Sequence, residues 1–290
     1  RLGFAGAEFG YSISLGLPTP SNSAFALDPE IKRECIWAGS SYRPASLLVD
    51  REASMIKVRA DRSWEVVSQH ASSFESLFNQ IADPIRTPEV VALRDDIRNW
   101  RFYDHFRTDA DAPARQPQLG TRTPVLHHDG RDLAAALQTI REIGDTQALS
   151  EAVSDAFPGA ELDIAVWESG RFSIEFYQYG LLRPLSGLEL SDGTIRYLLW
   201  VAALLTPRPP PLMVLNEPET SLHPDLLPAL ARLIVKASKS TQVWVISHAT
   251  RLIAALEKAS DCNSICLEKE LGQTKVVDQG MLDEPMWVWP

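Results

Sequence analysis

The chain reads as an α/β protein: a mostly parallel sheet, with an antiparallel β meander at its start and an inserted helical lobe. Three observations predict this. From Ile195 onward, short apolar strands alternate with helices, as a parallel sheet requires. Residues 8–67 carry strand-like alternation broken by turn residues. Between these regions, apolar residues recur at helical spacing. The expected division is 1–70 for the antiparallel β part, 71–160 for the helical lobe and 161–290 for the α/β core.

The elements follow in order. Tyr11-Ser12-Ile13-Ser14-Leu15 alternates within a strand over Glu8–Leu17, and Pro18–Ser23 breaks it. Further strand material surrounds Ile31–Trp37. Ser54–Arg59 and Trp64–Val67 form a hairpin turning at Ala60-Asp61-Arg62-Ser63. Ser73–Ala82 and Pro88–Phe102 start from Ser and Pro signals and read as helices. Thr108–Thr123 is polar and contains proline, so it reads as a surface loop. Arg131–Ile143 places Leu133, Leu137 and Ile140 on one helical stripe, and Thr146–Phe157 is a second helix. Glu161–Trp167 and Arg171–Tyr177 form a hairpin around Glu168-Ser169-Gly170. Then come a helix over Ser191–Leu205, a stiff connector over Pro207–Pro211, a strand over Leu212–Leu215 and a helix over Pro224–Lys239. A strand over Gln242–Ser247, a helix over Thr250–Ala259 and a hairpin of Ser264–Glu268 with Thr274–Asp278 close the chain.

Composition narrows the function classes. With 290 residues, 45% of them hydrophobic, the chain can bury a sizeable core. A net charge of -10 argues against non-specific coating of nucleic acid, though a local basic groove remains compatible with it. Cys35, Cys262 and Cys266 are too few and too unevenly placed for a disulfide framework. No apolar run reaches membrane-spanning length, and the N-terminus lacks a signal-peptide pattern, so a cytoplasmic location without a membrane partner is expected.

The chemistry concentrates in five short pieces. Leu190-Ser191-Asp192-Gly193-Thr194 opens an apolar helix. A hydroxyl and a glycine at a helix start make an anion site, because free N–H groups and the helix dipole point outward. The same residues also suit plain helix capping. Leu212–Leu215 is a continuous apolar run, as in a strand buried on both faces, and it delivers Asn216 and Glu217 to its carboxyl end, where parallel sheets bind ligands. A carboxylate there can deprotonate an attacking water. Ser221 and His223 stand at the entry to the next helix. His248 follows the strand Val243–Ser247, and an imidazole at that tip can sense a phosphate.

In this order the pieces resemble the second half of an ABC-type ATPase, a P-loop NTPase fold: signature motif, Walker B strand, D-loop and switch histidine. The spelling LSDGT, NEPETSLHP and SHA resembles the RecF/SMC-like branch, related to the ATPase domain of overcoming-lysogenization-defect proteins. The resemblance is strong across Leu190–Leu256. It implies that Glu217 and His248 are catalytic. Ser191, Asp192, Gly193, Thr194, Asn216, Ser221 and His223 are implied to bind ATP, with Mg²⁺ held at Asn216 through water. It further implies an ATP-dependent head-to-tail homodimer, with DNA or another protein as a possible partner, in DNA repair or phage defence. Two departures stand out. Asn216 replaces the usual aspartate and contributes no negative charge to a cation. No G-x-x-x-x-G-K-[ST] phosphate loop occurs in the chain. Because Arg1 is not methionine and residues 2–17 already read as strand, the loop is expected upstream of Arg1. The alternative is a non-hydrolysing interaction module with the ABC fold; a weaker one is a DNA clamp with a regulatory ATP site. No nuclease activity is expected, since the residues after His248 lack a paired-carboxylate pattern.

Overall fold

The structure is a computed structural model that describes residues 1–20, 22–61, 63–259 and 261–277. It divides into two compact units, one of Arg1–Arg98 with the chain from Cys266, the other of Asn99–Ile265. Arg62 of the expected hairpin turn, Ser21 of the expected break and Asp278 of the last expected strand lie outside the described residues.

The first unit is built on six antiparallel strands in chain order. They are β1 (Leu2–Ala5), β2 (Phe9–Gly16), β3 (Glu30–Ala38), β4 (Leu47–Glu52), β5 (Met55–Ala60) and β6 (Ser63–Ser68). Alternation works as the pattern demands: Ile36, Val49, Ile56 and Val58 point to one buried cluster, shared with Leu77, Val90 and Leu93. Two helices follow, α1 (Leu77–Gln80) and α2 (Pro88–Asn99). Strand β4 has no counterpart in the sequence reading. Its Asp-Arg-Glu ending looks like a loop, yet Arg51 is fully buried because Glu34, also fully buried, meets it at 3.1 Å.

That ion pair organises the unit. Glu34 accepts from Tyr11 Oη at 2.7 Å, from Ser76 Oγ at 2.5 Å and from the Leu77 amide at 2.9 Å. Burial, then the Glu34 charge, push the Tyr11 phenol well above its ordinary pKa, so it remains a donor. Arg51 donates to the carbonyls of Ser72 and Glu75, each at 2.5 Å. This explains why the helix expected over Ser73–Ala82 shrinks to one turn: two carbonyls next to its start serve the guanidinium instead of a helical ladder. The expected helix over Pro88–Phe102 also ends early, at Asn99. The aromatic run Arg101–Tyr103 prefers extended backbone and becomes a strand.

The second unit contains that strand, β7 (Arg101–Tyr103), then β8 (Gln118–Leu119), α3 (Leu133–Ile143), α4 (Thr146–Ala156), β9 (Glu161–Val166), β10 (Arg171–Tyr177) and β11 (Leu185–Ser186). After these come α5 (Asp192–Leu204), β12 (Leu212–Asn216), α6 (Leu227–Ala237), β13 (Gln242–Ile246) and α7 (Thr250–Leu256). Helix α5 is buried all round from Ile195 to Leu204, with Arg196 as its one charged residue in that stretch, which makes it the core element of this unit. Helices α3, α4 and α6 pack against it. The last described strands, β14 (Leu267–Glu270) and β15 (Gln273–Val276), are antiparallel and belong to the first unit.

Two expectations about the architecture need correction. The sheet content is not mostly parallel: among the described residues only β13-β12-β7 pair in parallel, while β1 to β6, the β8 to β11 group and β14-β15 are antiparallel. The helices of residues 71–160 do not make one lobe either, since α2 lies in the first unit up to Arg98 and α3 and α4 lie in the second.

Replacing Glu34 by alanine leaves the Arg51 charge buried and uncompensated, and we expect a loss of about 3–5 kcal/mol. Tyr11→Phe removes a single bond and should cost about 1 kcal/mol. Denaturant unfolding of both variants checks this; similar small losses would mean that the pair does not organise the unit.

Candidate active site

Strand β12 lies between β7 and β13, with Leu215 opposite Tyr103 on one side and Val245 on the other. All three strands run the same way, so their carboxyl ends share one rim. At that rim the amide of Asn216 donates from Nδ2 to Asp104 Oδ1 at 2.5 Å. The Glu217 amide continues the ladder to the Ile246 carbonyl at 2.8 Å. Glu217 itself takes φ of 45°, a left-handed backbone that costs a non-glycine residue free energy of about 1–3 kcal/mol. Its carboxylate Oε1 lies 3.6 Å from His248 Nε2; the glutamate side chain is 50% exposed and the imidazole 83%. The tip is therefore open to solvent and to a ligand.

A second acid fixes this arrangement. Glu219 Oε1 accepts from Ser247 Oγ at 2.8 Å, from the His248 amide at 2.9 Å and from the Ala249 amide at 3.1 Å. The three bonds tie the turn after β13 to the turn after β12. From the core side, Trp200 Nε1 of α5 donates to the Pro218 carbonyl at 2.9 Å.

The other predicted residues gather at the start of α5. Ser191 is its N-cap: Oγ accepts from the Thr194 amide at 3.1 Å and bonds Thr194 Oγ1 at 2.8 Å. The capping role is thus filled, and Ser191 remains exposed. Gly193 has a steric reason, since a Cβ there would stand 3.0 Å from the Ser221 carbonyl. Ser221 adopts φ of 61°. His223 Nδ1 accepts from the Asp225 amide at 3.3 Å, and Asp225 is held by Arg251 Nη1 at 2.9 Å. Ser191, Gly193, Thr194, Ser221 and His223 line one open groove of about 690 Å³. Asp192 is turned toward Arg115, whose Nη2 meets Oδ1 at 2.6 Å.

The predicted residues therefore form two sets in this chain: Asn216, Glu217 and His248 at the strand tips, and the serine-glycine turn with Ser221 and His223 along the groove. Asp104, Glu219 and Arg115 escaped the sequence reading. Glu219 had a legible signal, as a second acid two residues after Glu217. Asp104 directly follows an aromatic run that was read as helix. Arg115 lies in the stretch expected to cross the surface, but it is buried. Its guanidinium donates to the carbonyls of Thr108, Asp109, Gly187 and Leu190 as well as to Asp192. Gly187 accommodates it closely: a Cβ there would meet the Arg115 carbonyl at 2.7 Å. A further cluster, His127, His128 and Asp129, brings potential ligand atoms within 4.8 Å of one another. Arg131 already engages Asp129, at 2.6 Å, and holds its carboxyl well below the usual range.

Residues 40–254 match the family described as "AAA domain, putative AbiEii toxin, Type IV TA system", and the chain belongs to this family of ATPase-type domains. No curated protein matches the chain. Among solved structures, a chain from structural biochemistry of ATP-driven dimerization and DNA-stimulated activation of SMC ATPases is 21% identical, over 51% of this chain and 89% of its own, at a TM-score of 0.40. An SMC head domain with a coiled coil and joint from Pyrococcus yayanosii is 19% identical at 0.40, over 51% of this chain and 28% of its own length. An SMC head bound to the C-terminal winged-helix domain of ScpA is 14% identical at 0.45, over 95% of this chain and 76% of its own. These are distant likenesses. Among the described residues no helix is long and apolar enough to cross a membrane.

Because Arg115 holds the serine-glycine turn through the Gly187 and Leu190 carbonyls and the Asp192 carboxylate, Arg115→Met should loosen residues 187–194 first. We expect their amides to exchange hydrogen about tenfold faster or more, with the interior of α5 little changed. Uniform acceleration over the whole unit, or none at all, would contradict this role.

Proposed function

We propose that the protein is an ABC-type ATPase of the RecF/SMC-like branch, in which ATP joins two copies head to tail and hydrolysis lets them part. The observation that carries this reading is the meeting of Glu217 and His248 at 3.6 Å beyond the carboxyl ends of adjacent parallel strands, in a chain of an ATPase-type family. In the reaction, a water oxygen attacks the γ-phosphorus, the bond to the β–γ bridging oxygen breaks, and its electron pair leaves with ADP. Glu217 orients that water and takes its proton. His248 donates a hydrogen bond to the γ-phosphate and registers its departure. The backbone of the switch loop, anchored by Glu219, keeps the imidazole beside the carboxylate.

The residues at the rim fit a hard divalent cation in their chemistry, because Asn216 and its neighbours offer oxygen donors. Asn216 would help hold Mg²⁺ through water, and bound Mg²⁺ would neutralise charge developing on the phosphates. Ser191, Asp192, Gly193 and Thr194 would serve the nucleotide of the opposite copy, with Ser221 and His223 between the two sites. DNA or a protein is proposed as the partner moved by the cycle, in DNA repair or phage defence. A second reading, a non-hydrolysing module of the same fold, draws on the neutral Asn216.

Glu217→Gln in the full-length natural protein should bind ATP, hydrolyse it at least about a hundredfold more slowly and accumulate a dimer. Mass photometry with and without ATP measures this. Hydrolysis without any ATP-dependent dimer would remove the switch, and a dimer with undetectable hydrolysis in the unaltered protein would favour the second reading.

A further inference from the structure

The neutral side chain at Asn216 poses a charge problem that the neighbouring strand answers. Asp104 immediately follows β7, and Tyr103 is the register partner of Leu215. The next residues, Asp104 just past β7 and Asn216 at the end of β12, therefore stand side by side at the carboxyl ends, where parallel sheets bind their ligands. Their contact at 2.5 Å fixes the amide's orientation by chemistry alone. A carboxylate only accepts, so the NH₂ group of Asn216 must face Asp104, and its carbonyl Oδ1 must turn away. Asp104 is exposed, and its side-chain hydrogen-bond partner among the described residues is Asn216. One accepted bond leaves most of its lone-pair sites open. The rim thus presents a negatively charged oxygen ligand and a neutral one in fixed relative orientation. Mg²⁺ commonly takes one or two carboxylates together with waters and phosphate oxygens.

We infer that Asp104 is the carboxylate that binds the divalent cation of this site, the charge having moved from the central strand to its neighbour, with Asn216 as its orienting partner and second oxygen donor. The inference rests on the ATPase reading for the cation's purpose, but its test does not depend on turnover. Asp104 is close enough to Asn216 that the two side chains can be exchanged. Asp104→Asn removes the charge. The double variant Asp104→Asn with Asn216→Asp returns it on the other strand, and the donor–acceptor pair is preserved in reverse.

The experiment uses the full-length natural protein and Mn²⁺ as the probe, read by electron paramagnetic resonance, with nucleotide binding measured separately in chelator. Asp104→Asn should weaken Mn²⁺ binding by about tenfold or more, and the exchanged double variant should recover to within about threefold of the unaltered protein. Circular dichroism confirms that each variant is folded. Unchanged Mn²⁺ affinity in folded Asp104→Asn, failure of the folded double variant to recover, or no Mn²⁺ binding by the unaltered protein would each overturn the assignment. Loss of nucleotide binding in chelator for the unaltered protein would instead count against the ATPase reading, while the Mn²⁺ series still judges Asp104.

Discussion

One carboxylate oxygen holds the strand tips together. Glu219 Oε1 gathers a hydroxyl and two successive amides from the turn after β13, although Glu219 itself belongs to the turn after β12. Hydrogen bonds to an ionised acceptor are the strong ones, and three of them converge here. The partner oxygen, Oε2, is buried without a hydrogen-bond partner, so the carboxylate has given up water on that side. A carboxylate drawn into this position fixes two turns at once. The exposed imidazole of His248 depends on it through the main chain that Glu219 holds, while the left-handed backbone at Glu217 is held by its amide bond to the Ile246 carbonyl and by the Thr220 amide on its own carbonyl.

The two compact units solve the problem of buried charge in the same way with different parts. In the antiparallel unit, Arg51 is fully buried and is satisfied by Glu34 and by carbonyls next to a one-turn helix. In the other unit, Arg115 is buried and is satisfied by the carbonyls of Thr108 and Asp109, by those of Gly187 and Leu190 ahead of α5, and by the Asp192 carboxylate. Each guanidinium spreads several donors in a rigid fork, so a single side chain can fix a length of irregular backbone that has no ladder of its own. In the antiparallel unit this shortens a helix. In the second unit it shapes the turn that presents Ser191 and Gly193. Arg196 is a contrast: it is buried on α5, one Nη meets the Phe106 carbonyl, and its Nε has no hydrogen-bond partner, so burial lowers its pKa.

The sequence made the local chemistry legible and left the long-range pairings hidden. Leu212–Asn216, Gln242–Ile246 and the start of α5 were readable because apolar runs and a capping serine act within a few residues. Glu217 and His248 were readable as a pair because one helix separates their strands. Strand β4 was hidden by Arg51, whose burial depends on a partner seventeen residues away. The shortened helix near Ser76 was hidden by the same side chain. Strand β7 was read as the end of a helix because its pairing partner, β12, is remote in the chain. The extent of the parallel sheet was overestimated for a related reason: strand–helix alternation predicts parallel pairing locally but does not count how many strands join.

The central claim is that the tips of β12 and β13 receive the terminal phosphate of a nucleotide. The most direct measurement is a crystal structure of the full-length natural protein with magnesium and a non-hydrolysable ATP analogue. The account predicts the γ-phosphate within hydrogen-bond distance of His248 Nε2, a water between it and Glu217, and the serine-glycine turn of a second copy facing the same phosphate. A nucleotide bound elsewhere, with these side chains still facing solvent, would contradict it.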